Sequence, residues 1–61
     1  MKFIVVKDIE GNNHLINIDR ILCIEDGCDI FCKIITMQDG TAINYSEHFE
    51  SILEMIRVSN G

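Results

Sequence analysis

The run HLINIDRILCIED, His14 to Asp26, admits few backbone courses. Leu15 and Ile16 follow the turn-forming Glu10-Gly11-Asn12-Asn13 and read as strand. Asn17 and Asp19 then flank Ile18, and their short polar side chains bond readily to nearby backbone, which favours a corner over Asn17–Arg20. Ile21 and Ile24 have helical spacing, whereas Leu22 and Ile24 have strand spacing. A single helical turn at Asp19–Ile21, planting Ile21 in the core, followed by a strand over Leu22–Glu25, reconciles the two. The rival is a continuous amphipathic helix over Ile16–Ile24. The β-branched content and the flanking turn residues count against it.

The flanks supply partners for this stretch. Phe3–Ile9 reads as a strand with Phe3 and Val5 on one face and Ile4 and Val6 on the other, and Gly11 permits a hairpin into His14–Asn17. Asp26-Gly27-Cys28-Asp29 is a turn cluster. Ile30–Met37 is the longest predicted strand, with Ile30, Cys32, Ile34 and Thr36 on one face. Asp39-Gly40 is a two-residue hairpin signal returning the chain as Thr41–Tyr45. Ser46 then stands as a helix N-cap, with Glu47 and Glu50 in the first turn. Phe49, Ile52, Leu53 and Ile56 make one apolar face of about three turns, and Ser59-Asn60-Gly61 ends the helix.

The expected fold is α+β: residues 1–61 as one domain, a small antiparallel meander of four to five strands with one C-terminal helix packed on one face. A chain of 61 residues buries only about 60% of its unfolded surface. Small domains supplement such a core with disulfides, metal or self-association. One helix covers one sheet face, leaving Phe3, Val5, Cys32 and Ile34 as a predicted interaction surface for a second copy, face to face or edge to edge with the first strand, or for an unidentified protein partner.

Three cysteines cannot pair completely within one chain. The apolar run Phe3–Val6 is too short for a signal peptide or a membrane span. The expectation is a reduced, cytoplasmic protein without membrane insertion. Net charge is −5, and Lys2, Lys7, Arg20, Lys33 and Arg57 are scattered, which argues against nucleic-acid binding.

A resemblance follows from the order Gly11, Leu15-Ile16-Asn17, Ile21-x-x-Ile24-Glu25, Ile35-Thr36-Met37, Gly40, Glu47, and a helix with Ile52, Glu54 and Ile56. The chain resembles the FlbD-type small flagellar and swarming-motility proteins along nearly its whole length. It departs from them at Lys7-Asp8-Ile9-Glu10-Gly11, where the family tends to carry Thr-Arg-Leu-Asn-Gly, and in its cysteines. The resemblance implies a bacterial protein without a recognised catalytic site and with a motility-related role. The I-x-x-I-E strand, the Asp-Gly hairpin and the following helix are also similar to LytTR-type DNA-binding domains, whose basic residues are missing here.

No residue pattern calls for catalysis or a cofactor. Cys23, Cys28 and Cys32, with His14, are the candidate metal ligands, but the C-x-x-C knuckle is absent, and small structural cysteines are the simpler reading. His14 and His48 lack an adjacent nucleophile, and Ser46-Glu47-His48 is better explained by capping. Asp8, Glu10, Asp26 and Asp29 suit solvated turns. The expected function is a non-catalytic, self-associating interaction module. Its alternatives are a LytTR-like regulatory nucleic-acid-associated domain and a cysteine-based metal or redox sensor.

Overall fold

A computed structural model describes residues 2–60. β1 (Phe3–Lys7) and β2 (Asn13–Asn17) form an antiparallel hairpin. Its turn is held by Asp8, whose Oδ1 accepts the amide N–H groups of Glu10 and Asn12, both at 2.9 Å. Gly11 takes φ +88°, open to glycine at little cost. After β2 comes the expected corner. It is a 3-10 turn over Ile18–Arg20, with the Asn17 side chain accepting from the Asp19 amide. The turn thus lies one residue earlier than Asp19–Ile21, and no helix spans Ile16–Ile24. Ile21 opens β3 (Ile21–Asp26) and is half-buried against the core.

The expected strand Ile30–Met37 is shorter than its alternation suggests. Asp29 accepts the Phe31 amide at 2.8 Å and caps a second 3-10 turn, Ile30–Cys32, so that β4 covers only Lys33–Met37. Cys32 therefore shares no strand with Ile34. β4 lies between β3 and β5 (Ala42–Asn44), antiparallel to both, with a bulge between Ile21 and Cys23. The Asp39-Gly40 hairpin forms with Gly40 at φ +93°.

The meander is therefore divided between a two-stranded and a three-stranded sheet. They meet at one bridge, Asp8 opposite Tyr45, carried by Ile9 N–H to Asn44 C=O and Ser46 N–H to Lys7 C=O. The helix, α1 (Phe49–Asn60), starts later than expected. Ser46 does not cap it, because its hydroxyl donates to Lys7 C=O, while Glu47 accepts the Lys7 amide. His48 precedes the helix instead, its carbonyl accepting from Ser51 and Ile52. The expected stop at Gly61 lies outside the described residues.

The sheets and helix close on one core: Ile4, Val6, Ile16, Ile35, Tyr45 and Ile52 are buried. Phe49, Met55 and Ile56 complete the packed helix face. Leu53, expected there, is instead exposed. Tyr45 is fully buried, with its hydroxyl donating to Glu25 C=O at 2.8 Å and Lys33 Nζ 5.1 Å from its ring centroid. A buried phenol needs such a partner.

Candidate interaction surface

Alternation along the hairpin separates its two faces. Ile4, Val6 and Ile16 turn inward, so Phe3, Val5 and Leu15 turn outward. Val5 and Leu15 stand directly opposite each other. Phe3 is 40% exposed, Val5 52% and Leu15 70%. Of the anticipated surface, Phe3 and Val5 thus share a face. Cys32 and Ile34 belong to the other half of the molecule, Cys32 exposed in its turn and Ile34 half-buried on β4. Leu15 was missed as a surface residue. Its signal lies in the register, because a hairpin centred on Glu10 sets Leu15 opposite Val5.

Beside β2 opens a cleft of about 640 Å³. Leu15, Ile16, Met37 and Ile43 give it apolar lining, and His14, Asn17, Arg20, Gln38, Asp39 and Thr41 give it polar lining. A smaller groove of about 330 Å³ runs between the start of β1 and α1, past Phe3, Met55 and Val58. Comparison with protein-family models, curated proteins and solved structures finds no match. The surface is therefore read from its own chemistry.

His14 Nε2 lies 2.7 Å from Asp8 Oδ2. The Asp8 side chain is only 12% exposed. Its carboxyl is held below its ordinary value of 3.8, first by the His14 hydrogen bond and next by the Asn12 amide. Acceptance by several donors stabilises the charged form. This pair closes the turn.

Cys23, Cys28 and Cys32 are free and exposed. The Cys32 thiol is pushed up, mainly by hydrogen bonding and charge from Asp29, which makes it a poorer thiolate nucleophile than an ordinary cysteine. Among the described residues, no group of three or more His, Cys, Asp or Glu is placed to hold a metal ion. His14 is committed to Asp8, in the other sheet from Cys23. Asp29 caps its turn, and Asp8 holds the hairpin turn. Among the described residues, no helix is long and apolar enough to cross a membrane.

Proposed function

We propose that this chain is a small non-catalytic interaction module that associates with copies of itself through exposed apolar sheet surface. The observation that carries this reading is the outward trio Phe3, Val5 and Leu15 on the face of the hairpin opposite the core. Scattered apolar residues need no explanation, but three adjoining ones on a two-stranded sheet form a patch that water disfavours. The resemblance to FlbD-type proteins adds a motility-related setting, in which such a module would serve a larger bacterial assembly.

Light scattering over a concentration series, with and without reductant and chelator, tests the reading. The expected result is a mass that rises to that of a dimer, the same under all conditions. A monomer at every concentration overturns self-association. A dimer lost on adding reductant or chelator overturns the apolar surface as its cause and assigns association to the cysteines.

A further inference from the structure

We infer that the free edge of β2 is the seam of a two-fold dimer, pairing antiparallel with the β2 edge of a second copy about Leu15. This rests on the self-association proposed above and names the surface that carries it.

The hairpin's hydrogen bonds fix which backbone groups are available. Ile18 N–H donates to Lys2 C=O at one end of the ladder, and Asp8 N–H to Asn12 C=O at the other. These bonds make Phe3 opposite Asn17, and Lys7 opposite Asn13, non-hydrogen-bonded pairs, and alternation makes Val5 opposite Leu15 a third. The amide and carbonyl groups of Asn13, Leu15 and Asn17 therefore point away from β1. Among the described residues, β2 has no strand on that side.

The other edges are each engaged or interrupted at one or more points. On β1, Lys7 is taken by Ser46 and Glu47, and α1 packs alongside. β3 carries a bulge and ends in Glu25 and Asp26. On β5, Asn44 C=O accepts from Ile9. Monomeric proteins blunt free edges with charge, proline, bulges or cover. Asn13-His14-Leu15-Ile16-Asn17 has no Lys, Arg, Asp, Glu or Pro, and no bulge interrupts its register.

The strand is also complementary to itself. About a two-fold axis at Leu15, Asn13 of one copy faces Asn17 of the other, and the two Leu15 residues face each other. The outward groups form close pairs, so each Leu15 donates to and accepts from its counterpart. Two of the most exposed apolar side chains meet, with Val5 of each hairpin beside them, and no like charges stand opposite within the strand. The result is a four-stranded sheet with one apolar stripe. The two copies share one surface, as two-fold association requires. The cleft beside β2 has Leu15 and Asn17 on one side and Met37, Gln38 and Thr41 across from them, so a gap separates this strand from the β4–β5 hairpin.

The test uses the full chain with Cys23→Ser, Cys28→Ser and Cys32→Ser, which leaves one thiol wherever it is introduced. Leu15→Cys, Leu22→Cys and Val58→Cys are treated with a short bismaleimide, and mass is followed by light scattering. Leu15→Cys is expected to cross-link at least tenfold faster than the other two. Leu15→Lys, and separately Asn13→Lys, should return the dimer to monomer with unchanged circular dichroism; both sites are exposed, and the second variant guards against misfolding of the first. A dimer that survives both lysines and cross-links no faster at position 15 overturns the seam but leaves self-association standing. A parent chain that stays monomeric overturns both.

Discussion

Asp8 connects three parts of the hairpin through one carboxylate: the Glu10 and Asn12 amides and the His14 ring. Its folded value lies below the unfolded one, so the unfolded chain binds the extra proton first. The contribution is complete above the unfolded value and is lost as pH falls through the folded one. Urea midpoints measured from neutral pH downward should therefore decline below about pH 4, by the linkage rule, and Asp8→Asn should flatten part of that slope. Asp39, lowered by its bonds to Thr41, supplies another part in the same direction. Tyr45 acts differently, through burial. Tyr45→Phe removes the bond to Glu25 C=O and should lower stability by about 1 kcal/mol in the same assay. The aspartate's turn role was legible as composition only. Which oxygen meets which donor depends on a register that one sequence does not print.

At the level of elements, what could be read from the chain followed the source of its local signals. The corner at Asn17–Arg20 was legible because Asn17 bonds to its own neighbourhood. So was the Asp39-Gly40 turn, whose glycine needs a positive φ. Gly40→Ala should cost about 1–2 kcal/mol in thermal or urea unfolding, the steric cost of that conformation for an L-residue. The alternation through Ile30–Met37 misled because Asp29 claims the Phe31 amide and turns the chain before β4 begins. The helix start misled for a tertiary reason: Ser46 and Glu47 suit a cap, yet Lys7, about forty residues away in sequence, takes both. A Cβ on Gly27 would lie 2.0 Å from Cys32 Cβ. Gly27→Ala should destabilise the turn, and adding Cys32→Gly should recover part of the loss in unfolding midpoint.

Across the whole molecule, the helix and antiparallel strands were legible in periodicity, but the division into two sheets was not. It arises where the corner after β2 redirects the chain and the bulge in β3 shifts its register. The candidate surface was half legible. Phe3 and Val5 follow from alternation, whereas the place of Leu15 requires knowing which strand faces which. The core that joins the sheets is small, so single truncations weigh heavily. Ile35→Ala should cost about 2–5 kcal/mol, comparable to the roughly 3–5 kcal/mol that a core in a domain of this size seldom exceeds, and the far-ultraviolet spectrum of that variant should show substantial unfolding.

The bridge between Asp8 and Tyr45 also bears on how the native molecule opens. β4 is hydrogen-bonded on both sides, whereas the hairpin joins the larger sheet through few backbone bonds. Amide protons should accordingly exchange with solvent deuterium at two rates, fast for the hairpin and slow for β4, because local opening follows the weaker connections. The Leu15 amide, turned away from β1, would exchange fast in a lone chain and slowly in a paired one, making a single proton's lifetime a clock for association.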